Sequence, residues 1–238
     1  MLLYYANPEP VSAGRQDRPK KRMLERSFAP EIIDNPNLPD DLMRAVHRDL
    51  TRTHRWLGNT AAIIAALKRD PLPIHRVLDI GCGAGGLLLE IRKKLRADVI
   101  GVELRAPSPN LTTITIVEAN AVRSALPDSD VAVAVCVAHH LSEADYVELI
   151  RNVGRYCRRF VILDLVRHRL PLTLFCLAVC PLIHPVNAAD GRRSIRRAYT
   201  PLEMRAVVNR ALEGTCARFR HSVAPLYMRQ IVDITYDR

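Results

Sequence analysis

RVLDIGCGAGGLLLEIRKKL, residues 76–95, decides the fold. It opens with apolar residues typical of a strand, Val77, Leu78 and Ile80, and passes through a run of glycines. It then takes up helical spacing in Leu87, Leu88, Ile91 and Leu95. Glycines at such a junction let the backbone turn sharply and let a ligand lie against bare main chain. Gly81, Gly83 and Gly86 satisfy G-x-G-x-x-G, a weak pattern by itself. Two acids sharpen it. Asp79 sits inside the strand end, where a carboxylate opposes a pyrophosphate and suits a cationic or amine-bearing ligand. Glu103 ends the next strand, where an acid accepts the hydroxyls of a ribose. An acid before the glycines, a second after strand two and no phosphate partner fit S-adenosylmethionine (SAM) better than NAD.

Outward from this stretch, strands alternate with helices. ADVIGVEL (97–104) and TTITIVEA (112–119) read as strands. VAVAVCVA (131–138) is almost wholly small or β-branched, as in a central parallel strand covered on both faces. SEADYVELIRNVGRYCR (142–158) is a helix with Ser142 and Asp145 at capping-box spacing, and RFVILDLV (159–166) is a fifth strand. Thr200, Pro201 and Glu203 mark a later helix start. CARFRHSV (216–223) and LYMRQIVDIT (226–235) close the chain as an antiparallel edge pair. The expectation is an α/β fold with a doubly wound, mostly parallel seven-stranded sheet.

Upstream, residues 1–38 are rich in Pro, Arg and Asn without a sustained period, and read as an extended or partly disordered arm. Asp40 reads as the cap of a helix that continues through Trp56, and a second helix ends near Asp70 and Pro71. The chain thus divides into an arm and helical lid over 1–70 and a catalytic domain over 71–238, with a lid insert at about 168–200. Within the insert, LPLTLFCLAVCPLI (170–183) is apolar but shorter than the roughly 20 residues of a bilayer crossing, so it reads as a buried or lid helix rather than a membrane contact. Residues 187–197 read as a polar loop.

Composition narrows the class further. Apolar residues make up 48% and the net charge is +10. Arginine outnumbers lysine 30 to 5, an arginine bias as much as a surface for polyanions. The six cysteines show no metal-ligand spacing, which argues for free thiols in a cytoplasmic setting. The apolar start before the basic run RQDRPKKR is too short, and in the wrong order, for a secretory signal.

VLDIGCGAGG, Glu103, EANAVRSALPDSD and CVAHHL resemble class I SAM-dependent methyltransferases over about residues 74–166. The nearest likeness is to bacterial small-molecule enzymes of quinone biosynthesis or aromatic and polyketide methylation. The resemblance implies a Rossmann-like sheet and SAM as methyl donor, with S-adenosylhomocysteine (SAH) as product. It implies that Asp79, Gly81, Cys82 and Gly83 border the methionine part, that Glu103 holds the ribose and that Leu104 flanks the adenine. The family's acid after strand three is replaced here by Asn120 and Ala121, and an amide accepts the same hydrogen bond. Val137, Ala138 and His139 line the open side.

His139 is the candidate catalytic base for a phenolic acceptor, and His140 the structural member of the pair. No metal is expected there, because adjacent residues on an extended chain point apart and no third ligand lies nearby in sequence. Asp164, Arg167, His168, Arg169, Arg196, Arg197 and Tyr199 are further candidates, and Tyr5, Trp56 and Phe175 a possible aromatic wall. The expected substrate is a small aromatic or polyketide molecule, with no nucleic acid. A methyltransferase of RNA or protein, an NAD(P) oxidoreductase and a non-catalytic cofactor binder are the competing classes. Asp79 and the lack of a YxxxK pair speak against the oxidoreductase.

Overall fold

The computed structural model describes residues 25–33, 35, 37–105 and 114–237. Its centre is a seven-stranded sheet in the order β3-β2-β1-β4-β5-β7-β6. The strands are β1 (Arg76–Ile80), β2 (Asp98–Glu103), β3 (Thr115–Glu118), β4 (Ser129–Val135), β5 (Cys157–Asp164), β6 (Arg218–Val223) and β7 (Gln230–Thr235). The first five pair in parallel, whereas β7 runs antiparallel between β5 and β6. Chain direction reverses its winding between β1 and β4, which opens a crevice at their carboxyl ends.

Alternation along the strands sorts two cores. Leu78, Ile80, Ala132, Ala134, Phe160 and Ile162 face one side, under α4 (Glu143–Tyr156) and α7 (Pro201–Leu212). Val77, Val131, Val133, Val161 and Leu163 face the other, under α2 (Asn59–Lys68) and α3 (Gly86–Leu95). Both faces of the central strands are therefore dry, which is why β4 carries no polar alternation. Ser142 caps α4 by accepting from the Asp145 backbone N–H, and Thr200 with Glu203 completes a capping box at α7.

Several boundaries differ from the sequence reading. α1 spans Asp40–Trp56 with Pro39 at the capping position, so Asp40 is the first helical residue rather than the cap. β4 ends at Val135, and Cys136 turns the chain out of the sheet at φ 57°. Ala138–His140 then form one tight 3₁₀ turn. The apolar stretch becomes α5 (Arg169–Leu174), a π-helical run Phe175–Val179 and a 3₁₀ turn Cys180–Leu182. Phe175 and Val179 pack with Ile195 in a third small core, and Leu177 remains 73% exposed.

Residues 187–197, read as a loop, belong to helix α6 (Pro185–Arg197). Pro185 occupies its first position, where a missing N–H costs nothing. Its buried face carries Asn187, Asp190 and Ser194, and helical spacing in polar residues leaves no apolar signature. No described helix is long and apolar enough to cross a membrane.

Candidate functional site

The glycine turn after β1 holds Gly81, Gly83 and Gly85 at φ 68°, 53° and 76°. Only glycine takes these values without strain. A Cβ on Gly81 would lie 2.6 Å from a Val137 methyl, whereas one on Gly83 would meet nothing within 4 Å. Val137 thus closes one wall of the turn and the main chain at Gly83 stays open. Glu103 spans the turn from β2. Its Oε2 accepts from the Gly83 N–H at 2.8 Å and its Oε1 from the Leu104 N–H at 2.9 Å.

Asp79 lies beneath this turn and is 2% exposed. Burial, reinforced by the charge of Glu103, pushes its carboxyl well above the usual carboxylate range. Among the described residues no cation faces it. A buried carboxylate with no cation facing it among the described residues, a second carboxylate at the end of β2 and an uncovered glycine main chain have the chemistry that the amino group, the hydroxyls and the chain of SAM require.

The other expected contacts surround this cradle. Cys82 turns its Sγ toward Gly101, where an added Cβ would lie 2.4 Å away, so it packs the turn onto β2. Burial, then the charges of Asp79 and Glu103, raises its thiol beyond titration near neutral pH. Leu104 is 56% exposed beside the turn. Asn120 uses Oδ1 to accept from the Val122 N–H at 3.0 Å, which shapes its own turn and occupies the acceptor foreseen for a ligand. Asn152 fixes the same loop by donating to the Ala121 carbonyl.

The second cluster stands at the ends of β4 and β5. His139 is 2% exposed. Asp164 receives its Nδ1 contact at 2.7 Å and its backbone N–H at 2.9 Å. The carboxylate at Nδ1 keeps a proton on that nitrogen, so Nε2 is the basic atom of the neutral ring. Nε2 has no hydrogen-bond partner among the described residues and lies 3.6 Å from Oε1 of Glu31. Burial opposes charging of the ring, but the charge and hydrogen bond of Asp164, then Glu31, raise its pKa to about 9. Burial likewise opposes ionisation of Glu31, and contact with His139 overrides it, bringing Glu31 to about 2.

The pair is arranged differently from the sequence reading. On the 3₁₀ turn the two rings lie side by side, 4.2 Å between centroids, rather than on opposite sides of a strand. His139 is the buried ring and His140 the more open one, at 30% side-chain exposure. His140 Nε2 lies 3.8 Å from Glu31, and its Nδ1 is 3.4 Å from the Arg197 guanidinium.

Glu31 and Arg26 escape sequence reasoning. Both belong to the segment read as a passive arm, with no local pattern to single them out. Arg26 donates to the carbonyls of His139 and Leu141 and lies over the Tyr199 ring at 3.7 Å. Asp190 accepts from the backbone N–H groups of Ile32 and Ile33. Ser194 Oγ is 2.7 Å from Glu31 Oε1. α6, the helix hidden by its polar face, therefore anchors the segment that carries Glu31. Helix α1 flanks the crevice: Thr51 approaches Gly86, and the charge of His139 adds to burial in lowering the pKa of His54 to about 4.

The remaining candidates disperse. Arg167 is buried against Glu203, His168 stacks on Tyr227 and caps α5, and Arg169 lies on the surface. Arg196 is exposed, while buried Tyr199 donates to the Leu141 carbonyl. The aromatic wall does not form: Trp56 is exposed, Phe175 packs against Gly191, and Tyr5 lies outside the described residues.

Residues 77–159 match a family model described as a methyltransferase domain. No curated protein sequence matches the chain. Among solved structures, the plantazolicin methyltransferase BpumL, in complex with a monoazolic desmethylPZN analog and SAH, superposes with a TM-score of 0.67 at 14% identity, covering 92% of this chain and 97% of that one. The methyltransferase domain of bacterial CtHen1-C reaches 0.54 at 16% identity, over 76% of this chain and 98% of that one. Magnesium protoporphyrin IX methyltransferase from Synechocystis PCC 6803 with bound SAH reaches 0.50 at 15%, over 86% and 91%. These likenesses carry the fold, and the domain match carries the chemistry that its cradle accommodates. Residues 77–159 thus carry a methyltransferase domain, set in the Rossmann-like class I fold that these SAM-dependent methyltransferases share.

Proposed function

We propose that this enzyme methylates an oxygen, or an electron-rich carbon, of a small aromatic or polyketide-like acceptor. The observation that carries the reading is His139, fixed at Nδ1 by Asp164 and placed past the end of β4, two residues after the Val137 that walls the glycine turn. When bound, SAM supplies an electrophilic methyl on a sulfonium and leaves as SAH. Asp79 holds its amino group and Glu103 its ribose, while Gly81, Cys82, Gly83, Leu104, Asn120, Ala121 and Val137 border it. A phenol, with a pKa near 10, becomes a good nucleophile only as its proton is withdrawn. With its pKa raised to about 9, His139 is charged near neutral pH, so Nε2 meets this proton in the neutral ring that prevails at alkaline pH, where Glu31 yields its position to the acceptor hydroxyl. Holding the oxygen aligned with the methyl supplies much of the rate.

Residues 1–70 act as arm and lid, and about 168–200 as the insert that shapes the acceptor pocket over the domain 71–238. Helix α1 beside the crevice and the anchoring of residues 26–33 on α6 support that division. Free cysteines support a cytoplasmic setting. The net charge of +10 favours one second reading, a macromolecular acceptor.

Transfer of labelled methyl from SAM to a panel of phenols, quinols and aromatic polyketides tests the proposal. Label on one of these classes, lost in His139→Ala with SAH binding intact, is the expected result. Label recovered only on RNA or protein would overturn it.

A further inference from the structure

Two histidines and a carboxylate from distant parts of the chain converge on one point. Glu31 Oε1 lies 3.6 Å from His139 Nε2 and 3.8 Å from His140 Nε2, and one donor atom from each of the three residues lies within 4.8 Å of the others. We propose that Glu31, His139 and His140 bind a divalent transition-metal cation of the zinc type.

The spacing suits such an ion. Metal–ligand bonds of 2.0–2.2 Å to imidazole and carboxylate set tetrahedral donors about 3.4 Å apart, so the two separations to Glu31, 3.6 and 3.8 Å, need to shrink by only a few tenths of an ångström, and the imidazole nitrogens lie within 4.8 Å of each other. Two imidazoles and one carboxylate favour zinc and its neighbours over magnesium or calcium, which prefer all-oxygen shells.

Independent features support the assignment. His139 Nε2 is a deeply buried nitrogen with no hydrogen-bond partner among the described residues, 3.6 Å from Glu31 Oε1. Its Nδ1 is bonded to Asp164 at 2.7 Å, the carboxylate–histidine arrangement that orients metal-ligating imidazoles. Ser194 holds Glu31 Oε1 at 2.7 Å, within a segment tied to α6 through Asp190. Arg197 faces His140 Nδ1 at 3.4 Å, longer than a good hydrogen bond. Once Nε2 takes the ion, Nδ1 bears the proton and Arg197 keeps its contact with the His140 carbonyl at 3.3 Å.

Three protein ligands leave a fourth position for the acceptor. Resting on the methyl-transfer reading above, a hydroxyl bound there loses its proton more readily, so the ion takes over the work assigned to the imidazole. The proton leaves to solvent, and the oxygen keeps the electron pair that forms the new bond to the methyl carbon as the sulfonium S–C bond breaks and its electrons stay with SAH.

The test uses the full chain, stripped with a chelator and dialysed, then titrated with Co²⁺ read by visible absorption and with Zn²⁺ by calorimetry. One equivalent is expected. Glu31→Gln and His140→Ala should each weaken binding more than about 100-fold, and Asp164→Asn by about 10- to 100-fold. Cys176→Ser should leave it unchanged. SAH binding and circular dichroism report folding of each variant. Should Glu31→Gln loosen the N-terminal segment, His140→Ala carries the test alone, because that ring is partly exposed. No saturable Co²⁺ or Zn²⁺ binding in the unaltered protein, or binding indifferent to both ligand variants, overturns the site. Metal bound without methyl transfer would instead count against the proposed function, and full turnover in metal-stripped protein would return the proton to His139 alone.

Discussion

Asp79→Asn is expected to move stability and binding in opposite directions. The carboxylate is 2% exposed, faces no cation among the described residues and feels the charge of Glu103. Its folded pKa is raised, so the folded state binds the proton more tightly than the unfolded chain. Stability from this group is complete below the ordinary aspartate pKa of about 4 and is lost as pH rises from there through the elevated folded value. Asparagine has nearly the same shape and no charge to bury, so the ligand-free variant should melt higher than the parent at neutral pH. The gap should close at acid pH.

Binding goes the other way. The amino group of SAM or SAH loses a charge-assisted hydrogen bond of about 1.5–3 kcal/mol, or roughly 10- to 150-fold in Kd. Thermal melts from pH 4 to 8 with and without SAH, together with calorimetry, measure both effects. A variant that melts lower than the parent without ligand, or binds SAH as tightly, would refute the reasoning.

Gly81→Ala should weaken both fold and cofactor binding. A side chain at φ 68° costs about 1–2 kcal/mol, and its Cβ would lie 2.6 Å from Val137, so the melting temperature should fall by several degrees and SAH affinity with it. Arg159→Leu tests the far end of the sheet, where Arg159 bridges Asp70 and Asp233 at 2.9 and 2.7 Å. Asp70 keeps Arg158 at 2.9 Å, so no bare charge is left behind and the loss should cost about 1.5–3 kcal/mol in denaturant unfolding while leaving Kd for SAH unchanged.

The two halves of the site differ in how far they can be read without coordinates. The cofactor cradle is local: Asp79, the glycines and Glu103 follow one another over a strand, a turn and the next strand, and their conformational and charge requirements are written into residue type. The sheet was legible for the same reason, since apolar strands alternate with helices and both faces of β4 are dry. Where local pattern misled, the cause is physical. The β-forming run through Ala138 looked like strand to its end, yet Cys136 takes a left-handed conformation and curls the histidines into a turn. Helix α6 was hidden because its inward face is polar, satisfied by Glu31, Asp49 and backbone groups rather than by apolar burial.

Sequence alone therefore determined the strand–glycine–helix unit, the doubly wound architecture and the placing of Asp79 and Glu103 at the ends of adjacent strands, because each depends on neighbours along the chain. Only the tertiary structure decided that Glu31 reaches His139, that Asp164 sets the tautomer and that the two rings share one carboxylate. Those contacts join segments far apart in sequence, and their energies exist only once the chain has closed on itself.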